Sequence, residues 1–312
     1  MRLLKVMMRE RNVGELYRLA VSETTDGARQ AVIEYNGQLL PVDAALGERF
    51  ETITDLQPLL DQWNEVDTLI ADYVQANTTA FSRGGPVGEA TLLAPLAAPG
   101  KILCIGSNYH DHIAEMPIPM TPTYPYSFLK PTNNTVRGTG DSVAVPRRVS
   151  MMDWEAELGV VISTKCQDVT ADQALQYVAG YLNFNDLSAR DWLASKPPVG
   201  VDWVQHKAFD GFAPMGPYLV PARFVADPQD LPVRLTVNGK IKQDSNTREM
   251  VFGVAAIIEH ASSIMTLYPG DVIATGTPAG VGHGRKPPEY LSGGDEVRVV
   301  IGQLGELVTY IV

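Results

Sequence analysis

The dipeptide Asn238-Gly239, set between LTV and KIK, constrains this chain more tightly than any other short stretch. A two-residue type I′ turn needs positive φ at both central positions, and Asn-Gly supplies it at little steric cost, so the flanking residues are expected to fold back as a β-hairpin. Around this turn, from Lys101 to the C-terminus, short apolar runs recur between turn residues: KILCIG, EAELGVVIS, GYLNFND, DVIATG, EVRVVIG and LVTYIV. Their length and β-branched content read as strands. Helical signals are fewer. Thr170 and Gln173 make a capping box ahead of ALQYVAG, and Val254, Ile257, Ile258, Ala261 and Met265 form a helical stripe. Many short strands with few helices imply a mixed, β-rich α+β chain, rolled or closed on itself as a sandwich or barrel.

Residues 1–97 read as a small N-terminal α+β unit and residues 98–312 as the main domain. In the first, the strand-like pieces LYRLAVSE, QAVIEYN and GQLLPVD precede a helical spacing of Leu59, Leu60, Trp63, Val66, Leu69, Ile70, Tyr73 and Val74. The stretch SRGGPVGEATLLAPLAAPG separates the two units as a linker or strand-edged connection. Neither an internal repeat nor a low-complexity tail is visible. With 45% hydrophobic residues over 312 positions, a sizeable core is expected. The formal charge of −11 repels polyanions, which argues against nucleic acid and acidic membrane surfaces as partners and favours a small molecule. The two cysteines, Cys104 and Cys166, sit beside strand-like runs and do not form a disulfide framework, which fits a reducing compartment. The N-terminal apolar run breaks at Lys5 and Arg9, too early for a signal peptide, and no apolar stretch is long enough to span a bilayer. A cytoplasmic protein is expected.

In DWEAELGVVI a strand alternates its side chains, so Asp153, Glu155 and Glu157 share one face. Like charges this close repel, and the segment runs directly into an apolar core strand, so a bound cation is a natural compensation. On spacing alone the pattern reads as an acidic sheet edge. A second acidic cluster, NFNDLSARD, again follows an apolar run and brings Asp186, with Arg190 four residues on; by itself that pair reads as a helix salt bridge. Oxygen donors without His or Cys neighbours select Mg²⁺, Mn²⁺ or Ca²⁺ over Zn²⁺.

SNYHDHIAEMPIP holds two of the five histidines. His110 and His112 would not face each other on a helix, whereas His112 and Glu115 would. A carboxylate beside an imidazole raises its basicity and fixes its tautomer, as a general base requires, although the spacing alone describes a surface ion pair. Asn108 and Asp111 sit like an N-cap and its partner, and Pro117 ends the segment as in a short mobile lid. PGDVIATGTPAGVGHGRKPP is a strand opening into a loop whose amides, with the Thr275 and Thr277 hydroxyls, suit an anion or form a plain hairpin loop. It matches neither the phosphate-binding nor the dinucleotide glycine pattern. Lys207, among the apolar residues of QHKAFDGFAPMGP, needs an anion to meet it.

Taken together, KILCIGSNYHDHIAE, FLKP, DWEAELGVVI, GYLNFNDLSARD, HKAFDGFAPMGP, VNGKIKQDSNT and LYPGDVIATGTPAGVG, in that order, resemble the fumarylacetoacetate hydrolase family over the region from Lys101 onward. The resemblance implies that Glu155, Glu157 and Asp186 bind Mg²⁺ or Mn²⁺, with Ca²⁺ as a substitute, and that Lys207 lies beside metal and substrate. It places Arg190, Thr277, Gly276 and Lys130 at the substrate, His112 and Glu115 in a lid dyad, and Asn108 where some members carry a further carboxylate. It also implies a homodimer. Leu193 departs from the glutamine many relatives carry, removing a polar donor, and the insert SKPPVGVDWVQ follows it.

The activity this implies is hydrolysis of a carbon–carbon bond in a 2,4-dioxo acid of the acylpyruvate or fumarylpyruvate type. His112, oriented by Glu115, would activate water for attack at C4, and an enolate would leave as pyruvate. The same parts serve oxaloacetate decarboxylation, hydration of a 2-oxo-4-enoate, or isomerisation of 2-hydroxyhepta-2,4-diene-1,7-dioate in aromatic catabolism. A catalytically silent metal-binding homologue is the remote alternative.

Overall fold

The hairpin expected at Asn238-Gly239 forms between strands Pro232–Val237 and Lys240–Asn246, with φ of 50° and 72° at the two turn residues. The protein is represented by a computed structural model that describes residues 14–24, 26–47, 53–195 and 200–312, without the side chains of 193–195. The Leu193 departure and the start of the insert behind it therefore lie outside the described side chains.

Two large sheets organise the described residues, alongside a two-stranded pair of Met152–Asp153 with Ser188–Ala189. The larger is twelve-stranded and runs through Arg18–Glu23, Ala213–Pro221, Val178–Asn185, Ala156–Ile162, Val272–Ala274, Ile102–Gly106 and Tyr126–Lys130 in spatial order. The other has five strands, with the hairpin at one end and Glu296–Ile301 and Glu306–Ile311 beside it. Every residue of Ala156–Ile162 is buried, as is every residue of Val178–Asn185. Their near-continuous apolar runs, without polar alternation, are what strands covered on both faces require.

The N-terminal strands extend the larger sheet. Arg18–Glu23 pairs with Ala213–Pro221, with Leu19 opposite Leu219, and Thr91–Leu93 pairs back onto Arg18–Glu23. The Gly- and Pro-rich stretch is thus a strand-edged connection. The helical spacing resolves into a short turn at Gln57–Leu60 and the helix Trp63–Ala76, which buries Trp63, Val66, Ile70 and Val74. Asp67 on this helix accepts from Tyr17 Oη at 2.6 Å and from Arg223 Nε at 2.8 Å, bonding residues on both sides of position 97.

Two capping expectations are corrected. Thr170 precedes a helical turn, Ala171–Ala174, but its hydroxyl turns to Asp172 and makes no side-chain cap. Helix His110–Glu115 is entered from Tyr109 rather than capped by Asn108, whose amide is used elsewhere. Helix Val254–Ile264 forms as expected and buries Val254, Ile257, Ile258 and Ala261.

Buried side chains join the two sheets. Asn183 donates to the Gly305 carbonyl at 3.0 Å and accepts from the Ile301 amide at 3.0 Å. Replacing Asn183 with Ala would leave the buried Ile301 amide and the half-buried Gly305 carbonyl without their partner, so the expected loss is about 1 to 3 kcal/mol of unfolding free energy, read by urea denaturation. Gln243, from the hairpin, accepts from the Ala156 amide at 2.9 Å and donates to Thr277 and Pro278 at 2.8 Å each. This contact fixes the edge from which the acidic side chains project.

Candidate metal and substrate site

Strand register brings the three acidic residues together. Ala156 is opposite Asn185 in the antiparallel pair, which sets Glu155 across from Asp186 just beyond the ladder's end. The Asp186 amide donates to the Glu155 carbonyl at 2.9 Å, and the Glu155 amide to Asn185 Oδ1 at 3.1 Å. Glu157 follows two residues after Glu155. One ligand oxygen from each of Glu155, Glu157 and Asp186 lies within 4.8 Å of the others, and all three residues are buried.

Asp153 is not part of this cluster, contrary to strict alternation. Its strand ends at Asp153, the chain leaves strand geometry at Trp154 and Glu155, and the next strand begins at Ala156. The Asp153 carboxylate accepts instead from Arg190 Nε at 2.8 Å and from the Gly282 and His283 amides. Arg190 also donates to Glu155 at 2.5 Å, so its partners are Asp153 and Glu155, not Asp186 four residues back. Lys207 meets the anions its burial demands, Glu155 at 2.8 Å and Asp186 at 2.7 Å. Lys130 donates to Asp186 and to the Leu187 carbonyl. Its ammonium is consumed there, and Lys130 is absent from the described lining of the cleft.

These contacts leave the charges unbalanced. Asp153, Glu155, Glu157 and Asp186 are buried with Lys130, Arg190 and Lys207, one carboxylate more than the cations. Glu157 is the odd one: among the described contacts its side chain receives the Gly276 amide at 2.8 Å and no cation. Burial, then the Asp186 and Glu155 carboxylates, push its carboxyl well above the ordinary range. Glu155 behaves oppositely, because Lys207 and Arg190 outweigh the burial that would raise it and hold it well below that range. Burial would depress the Lys207 ammonium, yet Asp186 and Glu155 hold it above its usual value. An all-oxygen donor set with one uncompensated buried carboxylate fits a hard divalent cation.

Gly276 reaches Glu157 because it lacks a side chain. Its φ is +96°, and a Cβ there would lie 2.8 Å from the Asn108 Cβ and 3.0 Å from the Ile105 carbonyl. Its amide is therefore committed to the carboxylate rather than open to a ligand. Thr275 donates its hydroxyl to the Leu158 carbonyl at 2.9 Å, and Thr277 donates to the Ala156 carbonyl at 2.9 Å while lining the cleft. Asn108 supplies no carboxylate. Its side chain bonds the Phe252 and Thr275 backbones and ties the His110–Glu115 segment to the glycine loop.

His112 is buried beside this cluster, with Nδ1 2.7 Å from Glu115 Oε1. Glu115 also accepts from the Gly280 amide at 2.9 Å, and Asp111 accepts from Ser245 at 2.6 Å, so the short helix is seated over the site. The carboxylate can only accept, so Nδ1 carries the hydrogen and Nε2 is left to take a proton. His112, Thr277, Arg190, Lys207 and the three acidic residues line one cleft of about 260 Å³. Phe128, Trp203 and His206 line it as well and were not anticipated. Trp203 lies within the insert whose consequence the sequence left open, and Phe128 within FLKP; neither spacing nor charge marked them.

Three comparisons bear on this arrangement. The sequence profile described as fumarylacetoacetate hydrolase, C-terminal, matches residues 101–312. The human mitochondrial oxaloacetate tautomerase FAHD2B is 44% identical over 227 residues, 73% of this chain and 71% of that protein. Among solved structures, fumarylacetoacetate hydrolase from Exiguobacterium antarcticum superposes with a TM-score of 0.78 at 33% identity, covering 95% of this chain and 99% of that one. Maleylpyruvate hydrolase from Sphingobium sp. SYK-6, in complex with manganese(II) and pyruvate, gives 0.73 at 27% identity over 95% and 98% of the two chains.

Proposed function

Because the chain belongs to the fumarylacetoacetate hydrolase family, whose enzymes act on small oxo acids, we propose that it hydrolyses a carbon–carbon bond in a 2,4-dioxo acid, releasing pyruvate and a carboxylic acid. The observation that carries this reading is the His112–Glu115 dyad, 2.7 Å apart and lining the cleft with Glu155, Glu157 and Asp186. Mn²⁺ and pyruvate in the Sphingobium enzyme are the chemistry such a centre would accommodate.

Glu155, Glu157 and Asp186 would hold Mg²⁺ or Mn²⁺, which supplies Lewis acidity toward the oxo and carboxylate oxygens of the substrate. Arg190 and Lys207 pair with Glu155 and Asp186 and line the cleft beside them, which keeps those carboxylates oriented toward the metal position. His112 Nε2 takes a proton from water while Glu115 fixes the ring, and the oxygen adds to C4. The C3–C4 bond then breaks, its electron pair passes to the three-carbon fragment as an enolate, and protonation at C3 gives pyruvate.

A second reading is keto–enol tautomerisation of oxaloacetate, favoured by the 44% identity to the human enzyme. It uses the same dyad for proton movement at C3, without water addition. Product analysis separates the two. With Mn²⁺ present, an acylpyruvate is expected to lose its ultraviolet absorbance with one pyruvate formed per substrate, and EDTA is expected to abolish this until Mg²⁺ or Mn²⁺ is restored. Conversion of oxaloacetate enol to keto form with no pyruvate from any acylpyruvate would replace the hydrolase by the tautomerase.

A further inference from the structure

Beside the carboxylate centre the cleft is walled by rings. Phe128 and Trp203 stack with centroids 4.4 Å apart and planes 6° from parallel. His206 sets its edge against Trp203 at 5.5 Å, and Met116 and Ile105 add apolar surface. Lys207 Nζ lies 5.2 Å from the Phe128 centroid, so the wall begins where the ion-paired centre ends. Trp203 is half-buried and lines the cleft, with Phe128, Tyr126 and His206 packed against its ring.

This wall offers no unpaired positive charge among the described residues. The cations lining the cleft are Arg190 and Lys207, and both are engaged with Asp153, Glu155 and Asp186. His206 donates Nδ1–H to the Ala189 carbonyl at 2.9 Å. Burial, with the Lys207 and Arg190 charges adding to it, holds its imidazole neutral with a pKa of about 3. A carboxylate placed against these rings would lose its water and meet, among the described residues, no cation free of a carboxylate partner.

We propose that Phe128 and Trp203 select 2-oxo acids whose far end is an uncharged planar group, aromatic or unsaturated, and discriminate against those ending in a second carboxylate, with Trp203 as the specificity-determining residue. The inference rests on the 2-oxo acid reading above and narrows it. Oxaloacetate and maleylpyruvate, named for the relatives, both end in a second carboxylate. A flat far end stacks on the rings instead.

The test is kcat/KM of the Mn²⁺-loaded full chain on benzoylpyruvate, fumarylpyruvate and oxaloacetate, with inhibition constants for any compound not turned over. Benzoylpyruvate is expected to exceed both dicarboxylates by about tenfold or more, since stacking favours it and desolvation opposes them. Trp203→Ala is expected to raise KM for benzoylpyruvate by about 3- to 10-fold with kcat nearly unchanged. The dicarboxylates should hold or gain in kcat/KM, because the ring that disfavours them is gone, and Trp203→Phe should restore most of the preference. Equal or better use of the dicarboxylates, or an equal effect of Trp203→Ala on all substrates, would overturn the selectivity and leave the 2-oxo acid reading standing. Neither turnover nor inhibition by any of the three would overturn both.

Discussion

Replacing Glu157 with Gln is expected to lower turnover by about 1,000-fold or more while the metal-free protein melts no earlier than the parent, and at neutral pH later. The activity loss follows from removing one of three charged oxygen donors, since Lewis-acid stabilisation of developing charge is worth several kcal/mol. The stability gain follows from the charge imbalance. Glu157 is buried with no cation on it, and burial together with Asp186 and Glu155 raises its carboxyl well above the ordinary value of 4.5. A carboxyl raised in the folded state stabilises the fold fully below that ordinary value and loses its contribution as pH rises through the folded-state value. The glutamine variant has nothing to lose there. In EDTA, its melting temperature should therefore pull ahead of the parent's as pH rises, by roughly 1 to 4 °C for a chain of this size. Calorimetric scans across pH read this, and added Mn²⁺ should shift the parent but not the variant. A variant that remained active, or that melted much earlier than the parent, would contradict this account of the residue.

His112→Ala is expected to lower kcat by about 100- to 10,000-fold, with KM changed far less, because proton transfer by a positioned base contributes on that order. His112 makes its side-chain bond to Glu115 alone among the described contacts, so its removal leaves the carboxylate centre and its ion pairs intact. Glu115→Gln should cost less, about 10- to 100-fold, since the imidazole remains and only its orientation and basicity change. The single amide oxygen of that variant can accept from the Gly280 amide or from His112 Nδ1–H, not from both as the two carboxylate oxygens do. Steady-state kinetics on an acylpyruvate, with melting temperature as the control for folding, measure both effects.

Local chemistry explains what could be read from the sequence. Asn238-Gly239 specified its own turn, and Val254, Ile257, Ile258 and Ala261 specified their helix, because both depend on neighbours in the chain. Spacing alone left Glu155 and Glu157 as an acidic sheet edge and Asp186 as half of a helix ion pair, and only the resemblance to the family joined the three as a metal site. That they meet depends on the register of Ala156 against Asn185, which no local pattern contains. Asp153 was grouped with them by alternation, and the chain breaks that alternation at Trp154. Asn108 was read as a helix cap, the usual use of an asparagine before a turn, whereas its amide spans to Phe252 and Thr275, far along the chain. Gln243 and Trp203 carried no signal. Their importance is that of position, one beneath the acidic strand and the other in the cleft wall.

The central claim is that the three carboxylates form a divalent-cation centre on which turnover depends. Titration of Mn²⁺ into EDTA-treated, desalted protein, followed by calorimetry and by acylpyruvate turnover in the same samples, tests it directly. Binding of one Mn²⁺ per chain, turnover rising in step with occupancy, and loss of both in Glu157→Gln are the expected results. Full turnover in excess EDTA, or Mn²⁺ binding unaltered by Glu157→Gln, would contradict the claim.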